Sequence, residues 1–190
     1  MRSHADELPC IGVVLAGGRS TRMGRDKALL EWQGHPLIEH QLALLREAGV
    51  DSVQVSGERP AYRGIADAQP QAGPLAGLAG IAAAHADDAE LLVIPVDMPL
   101  LQPALLRRLR SERPEAPCLR FTGQVLPLRL RLNARSRTVL SELMRADDSR
   151  RHSLHAYEQA VGVEEIALAS GEAAQLTDCN TAAVWHEVAG

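Results

Sequence analysis

The run from Cys10 to Ala16 reads CIGVVLA, carries no charged side chain and is closed by Gly17-Gly18. A continuous β-branched run of this kind is the pattern of a strand buried on both faces. Leu91 to Val96 (LLVIPV) repeats it, with Pro95 near the end. Between the two, Pro36 opens a helix that places Leu37, Ile38, Leu42 and Leu45 along one side, and Gly49 supplies its stop. Val50 to Val55 alternates apolar and polar residues and predicts a second strand. Leu75 to Ala86 predicts a helix of small residues able to press close to a sheet. Pro103 starts another, with Leu105, Leu106 and Leu109 inward.

After Pro117 the rhythm changes. Cys118 to Phe121 and Val125 to Leu132 read as two strands joined around Gly123. In the second, Leu126, Leu128, Leu130 and Leu132 face one way and Arg129 and Arg131 the other. Helices are expected over Ser136 to Arg145 and Leu154 to Ala160, a strand near Val163 to Leu168, and a last helix after Asn180. Strand-helix alternation through most of the chain predicts a three-layer α/β/α domain around a mostly parallel sheet. Without a repeat, linker or low-complexity segment, residues 1–190 are expected as a single domain.

Composition narrows the picture. The chain has 190 residues, of which 46% are apolar and 3% aromatic, so the core must be aliphatic. No run of eighteen apolar residues suggests a membrane span. MRSHADELPC lacks an apolar signal core, so no secretory leader is expected. Cys10, Cys118 and Cys179 are widely spaced and form neither a disulfide framework nor a zinc pattern, which points to a reducing cytoplasm. The net charge of −4 gives no electrostatic case for nucleic acid. Residues 107–151 nevertheless hold twelve Arg against five acids. Two readings stand: solvated helix faces, or a basic wall beside an anionic substrate, with Arg129 and Arg131 as its candidates.

Lys27 is the sole lysine, within LAGGRSTRMGRDKALL (Leu15 to Leu30). Its compact ammonium acts toward phosphate as a point charge, unlike the planar fork of Arg. Gly17 and Gly18 let backbone N–H groups approach a ligand, and Arg19, Arg22 and Arg25 add positive charge. Asp26 is placed to orient Lys27 or its loop. The pattern is neither a Walker loop nor the dinucleotide fingerprint. In PVDMPLL (Pro95 to Leu101), Asp97 ends a buried strand, where ligands of such sheets bind. A carboxylate there suits Mg²⁺, though it also suits a turn cap. GPLAG (Gly73 to Gly77) opens a helix and is able to admit a flat base against backbone.

LAGGRSTRMGRDKALL, GPLAG and PVDMP, in this order and spacing, resemble the molybdenum cofactor guanylyltransferase family. Residues 10–110 carry the resemblance as the nucleotide-binding half, and QLTDCNTA (Gln175 to Ala182) resembles the family's late Asn-Thr-Pro segment. The resemblance implies a glycosyltransferase-A-like, Rossmann-like nucleotidyltransferase fold that transfers GMP from GTP, with Mg²⁺, to the terminal phosphate of molybdopterin. It implies nucleotide contacts from Leu15, Ala16, Gly17, Gly18, Lys27, Asp67, Gly73, Gly77 and Asp97. Lys27, Arg22 and Asp97 would be the catalytic groups, Asp97 the metal ligand, and Asn180 a late contributor to metal or second substrate. The second-substrate half, about 115–190, departs at Ala182, at Leu126 and over Asp147 to Tyr157. Cytidylyltransferases and sugar-phosphate nucleotidyltransferases share the architecture, and the paired glycines Gly17-Gly18 favour the guanylyl branch of the resemblance. A nucleotide-binding regulatory domain is the reading outside enzymes, and retention of Lys27 and Asp97 argues against it. Transient contact with molybdoenzymes or their chaperones is the partner expectation beyond the two substrates.

Overall fold

The computed structural model describes residues 8–17, 26–70 and 72–189. Among them a six-stranded sheet forms from β1 (Cys10–Leu15), β4 (Ser52–Ser56), β5 (Ala89–Pro95), β6 (Cys118–Phe121), β7 (Leu128–Leu132) and β8 (Glu164–Ile166), in the order β4-β1-β5-β7-β6-β8. β7 runs antiparallel to both β5 and β6, while the other pairings are parallel. The sheet is therefore mostly parallel, as the strand-helix alternation predicts.

The continuous apolar runs have a direct cause. Cys10, Val14 and Ala16 join one hydrophobic cluster, and Ile11, Val13 and Leu15 join the other. The first cluster is covered by α1 (Leu37–Glu47) and α3 (Pro103–Ser111), and the second by α2 (Pro74–Ala84), α4 (Ala134–Arg145) and α5 (Leu154–Val161). A strand with helices on both sides needs no polar face. Gly12 is required by this packing, because a Cβ there would stand 3.1 Å from Leu45 on α1.

Two small elements escape the apolar pattern. β2 (Glu31–Trp32) and β3 (His35–Pro36) form a hairpin whose turn, Gln33-Gly34, has positive φ at both residues. That is the two-residue turn that matches strand twist. Trp32 of this hairpin meets Trp185 of α6 (Ala182–Ala189) edge-on at 5.7 Å, docking the last helix against the α1/α3 layer.

The expected strand from Val125 is shorter at its start, because β7 begins at Leu128. Its alternation is real: Leu128, Leu130 and Leu132 enter the α2/α4/α5 cluster. The opposite face is not solvated. Arg129 is fully buried, donating to Glu90 at 3.3 Å and to the carbonyls of Arg110 and Arg113 at 3.2 and 2.7 Å. Arg131 donates to Pro114 O and pairs with Glu115 at 3.3 Å. Both arginines satisfy carbonyls left over where α3 ends. Other arginines of the basic stretch do the same. Arg107 and Arg110 bond the carbonyls of Glu47 and Gly49 at and beyond the end of α1, and Arg137 bonds those of Ala82, His85 and Asp87 in the last turn of α2 and beyond it. Arg107, Arg113, Arg135, Arg145, Arg150 and Arg151 are exposed, so half of the twelve arginines lie on solvated surface, while the more buried ones bind carbonyls and carboxylates.

Candidate active site

The register places Ser56, Leu15 and Pro95 in one row at the carboxyl ends of β4, β1 and β5. Strands lie about 4.8 Å apart, so this row spans about 10 Å, enough to lay out part of a nucleotide. Loops leaving this edge carry the polar groups, as expected for an open α/β sheet.

At the β5 end, Lys27 donates from Nζ to Asp97 Oδ2 at 3.0 Å and to Asn180 Oδ1 at 2.5 Å. The three come from distant parts of the chain. Asp97 stands just beyond β5, Lys27 begins a 3-10 turn (Lys27–Leu29), and Asn180 precedes α6. Cys179 N donates to the Asp97 carbonyl at 2.8 Å, which ties the late segment to the strand tip. Burial pushes the Cys179 thiol up to about 11, helped by the neighbouring Asp97 charge, which disfavours its thiolate.

At the β4 end, Ser56 donates to Asp67 Oδ1 at 3.1 Å. Glycines make this corner. A Cβ on Gly17 would stand 2.8 Å from Asp67 Oδ2, and one on Gly77 would stand 2.1 Å from Ser56 Oγ. Gly57, with φ of 111°, lies so close to Gly17 that its Cβ would be 2.9 Å from the Gly17 Cα. Gly73 has a different reason: its φ of 78° starts α2. The structure thus gathers Gly17, Gly77 and Asp67 around Ser56. Leu15 and Ala16 have buried side chains, so only their backbone faces the edge.

Between these two corners lies Arg59. Its guanidinium donates to Ala16 O at 3.0 Å from Nη2 and at 3.3 Å from Nε, and it pairs with both carboxylate oxygens of Asp26. Asp26 in turn accepts from Ala28 N at 3.1 Å, capping the turn that carries Lys27. Hydrogen bonding from Arg59 holds the Asp26 carboxyl below its ordinary range. Arg59 and Ser56 had no signal in the sequence: one is an arginine among nineteen, and the other is a small polar residue ending a strand.

Gly18, Arg19, Arg22 and Arg25 lie outside the described residues. Arg129 and Arg131, expected to face the second substrate, pair with the levels of Leu92 and Glu90 on β5. At about 3.3 Å per residue they stand roughly 17 and 23 Å back from Asp97 along the strand. Neither belongs to this site. His152, in the divergent stretch Asp147 to Tyr157, has its ring at 2.9 Å from the Ala146 carbonyl.

The arrangement supplies one cation, one carboxylate and one amide oxygen at the β5 tip, with an acceptor-rich corner across the edge. This is a donor set for a polyphosphate and a hard cation. The MobA-like NTP transferase domain matches residues 12–179. The chain belongs to that family. It is 49% identical to the molybdenum cofactor guanylyltransferase of Xanthomonas euvesicatoria over 96% of this chain and 95% of that one. Its structure is similar to molybdopterin-guanine dinucleotide biosynthesis protein A from Archaeoglobus fulgidus, with TM-score 0.72, 17% identity and coverage of 94% and 96%. It is also similar to Rv0371c from Mycobacterium tuberculosis solved in complex with manganese, with TM-score 0.65, 23% identity and coverage of 95% and 98%.

Proposed function

We propose that this chain, acting as one nucleotidyltransferase domain, transfers GMP from GTP to the terminal phosphate of molybdopterin. An oxygen of that phosphate bonds to the α-phosphorus of GTP, the bond from the α-phosphorus to the bridging oxygen breaks, and pyrophosphate leaves. The attacking group is already an anion and needs no strong base, so alignment and charge neutralisation are the work of the site. The observation that carries the reading is the meeting of Lys27, Asp97 and Asn180 at the sheet's carboxyl edge. The kinship with guanylyltransferases of the same length supports it.

The nucleotide is proposed to lie along the Ser56–Leu15–Pro95 row, base toward Asp67 and phosphates toward Lys27. The Asp67 carboxylate offers acceptors to the adjacent N1–H and 2-amino donors of guanine. Gly17 and Gly77 keep Cβ atoms out of that corner. In the resting geometry the Lys27 ammonium fills the place of a cation between two oxygens, and its charge is proposed to meet the β- and γ-phosphates once they arrive.

No group of three or more His, Cys, Asp or Glu among the described residues could hold a metal ion. The Asp97 carboxylate and the Asn180 amide oxygen nevertheless converge on one cation position, which fits a Mg²⁺ that keeps waters and substrate phosphates as its other ligands. Bound there, the ion would neutralise charge on the phosphates. Manganese in the Rv0371c complex supports divalent-ion use across this fold. Cys10, Cys118 and Cys179 are free thiols, which supports a cytoplasmic setting. Among the described residues no helix is long and apolar enough to cross a membrane.

Pyrophosphate release measured with GTP, CTP and ATP, each with and without molybdopterin, tests the reading. Release with GTP and molybdopterin together is expected. Equal release with CTP moves the chain to the cytidylyl branch, and no release with any nucleotide leaves a binding domain.

A further inference from the structure

We infer that Arg59 is a positioning residue that staples the two ends of the Gly-rich segment and so sets the place of Lys27. The inference rests on the nucleotide-transfer reading for its functional consequence, while its geometry stands apart from that reading.

The guanidinium reaches the segment from a different strand. β4 ends at Ser56, and the chain turns through Gly57 to Arg59. This turn is tightly built. Gly57 N donates to Ile65 O and Gly64 N to Arg59 O, at 2.8 and 2.9 Å. A Cβ on Gly64 would stand 2.3 Å from the Gly57 carbonyl and 2.8 Å from the Arg59 Cβ. The root of the Arg59 side chain is therefore fixed by backbone.

From that root the fork has two grips. One is the carbonyl of Ala16, the last residue before Gly17. The other is the carboxylate of Asp26, the residue before Lys27. The planar guanidinium is suited to this double task, since its donors have fixed directions and can serve the carbonyl and the carboxylate at once. The side chains of Arg59 and Asp26 are 17% and 36% exposed, so the pair is partly shielded from the solvent screening that weakens surface ion pairs.

The second grip leads on to the site. Asp26 spends an oxygen on the N–H of Ala28 and thereby caps the turn Lys27–Leu29. Lys27 leaves the first position of that turn and reaches Asp97 and Asn180. Releasing Arg59 would free the capping carboxylate, loosen the turn and shift the ammonium relative to Asp97. Arg59 touches none of the proposed reacting atoms in this arrangement. It acts through Asp26.

The test uses the full chain with Arg59→Met, Arg59→Lys, Asp26→Asn and the double variant Arg59→Met/Asp26→Asn. The first readout needs no nucleotide: hydrogen exchange at the Ala28 amide, which should quicken in Arg59→Met while amides of β5 keep their protection. Unchanged protection at Ala28 overturns the staple whatever the protein's activity. The second readout is kinetic. Arg59→Met should lose about 10²-fold in turnover, the scale of a small misplacement of a catalytic group. KM for GTP should move much less. The double variant should be no worse than the more damaging single variant, because the two residues form one device. Arg59→Lys should recover part of the turnover, since one ammonium can hold one grip but not both. Losses that multiply in the double variant, or normal turnover in Asp26→Asn, overturn the proposal. Should Arg59→Met fail to fold, Asp26→Asn, which keeps the shape of the side chain, reads the same device. Equilibrium binding of Mg-GTP to the unaltered chain is the control. Its absence sinks the nucleotide reading, and the Ala28 exchange still decides the staple.

Discussion

The ammonium of Lys27 lies 3.0 Å from Oδ2 of Asp97, a contact between residues 70 positions apart in the chain. Their side chains are 14% and 18% exposed, so the pair sits in a partly dry recess and not on an open surface. In such a place a charge is worth more than in water and its position matters more. The chain uses arginine for its carbonyl-binding tasks elsewhere and a lysine here. An arginine would bring a planar fork in place of a compact ammonium that donates to Asp97 and Asn180.

Lys27→Arg should therefore keep the fold and lose turnover. The expected fall is about 10²-fold, near 3 kcal/mol of transition-state stabilisation. Steady-state kinetics beside a thermal melt checks it. Turnover close to that of the unaltered chain would make the lysine incidental.

Asp97→Asn should leave the melting temperature nearly unchanged, because Cys179 is bonded to the Asp97 main-chain carbonyl and not to its carboxylate. Metal-dependent turnover should collapse, since the hard anionic ligand proposed for the ion is gone. Titrating Mg²⁺ into pyrophosphate-release assays of both proteins reads this. Full activity of the variant at ordinary Mg²⁺ would place the ion elsewhere.

Arg129→Met should be a stability variant and not a kinetic one. It leaves the carbonyls of Arg110 and Arg113 without this donor and Glu90 with Arg110 alone at 3.8 Å, at a cost of about 3 kcal/mol. Denaturant unfolding should show the loss, and KM for both substrates should stay put at temperatures where the variant is folded. A selective rise in KM for molybdopterin would restore this arginine to the second-substrate site.

Glu158 on α5 is buried, with Arg120 at 3.3 Å. Burial pushes its carboxyl above the ordinary range, more than Arg120 pulls it down. A folded-state pKa raised above the unfolded value gives stability that is full below the unfolded pKa and lost as pH rises through the folded one. Relative to Glu158→Gln, which has no proton to lose, the unaltered chain should lose ground as pH climbs from about 4 toward neutrality. Urea unfolding of the two proteins across that window measures the gap. A gap that does not move with pH would contradict the raised carboxyl.

The apolar pattern carried the layers well, because strands buried on both faces leave little room for polar residues. Leu105, Leu106 and Leu109 are buried on α3 as their spacing requires. The hairpin Glu31–Trp32/His35–Pro36 was not legible, since two-residue strands have no period to detect. The site divided in the same way. Lys27, Asp97 and Asn180 stand out in the sequence by rarity or by motif, and the structure brings them together. Arg129 and Arg131 misled because alternation reports which face a side chain occupies, and cannot say whether that face meets water or a helix end. Arg59 was invisible for a related reason. Its partners, Ala16 and Asp26, are distant in sequence, and one of them is a main-chain carbonyl that any residue could supply.

The site is proposed to move GMP, in strong preference to CMP, onto molybdopterin. The most direct measurement mixes equimolar GTP and CTP with molybdopterin, Mg²⁺ and the purified chain, and weighs the dinucleotide products by mass spectrometry. The guanine dinucleotide is expected to exceed the cytosine form by ~10²-fold, the discrimination available when the wrong base leaves a buried polar group unpaired. Equal amounts of the two products, or a cytosine product in excess, would contradict the account.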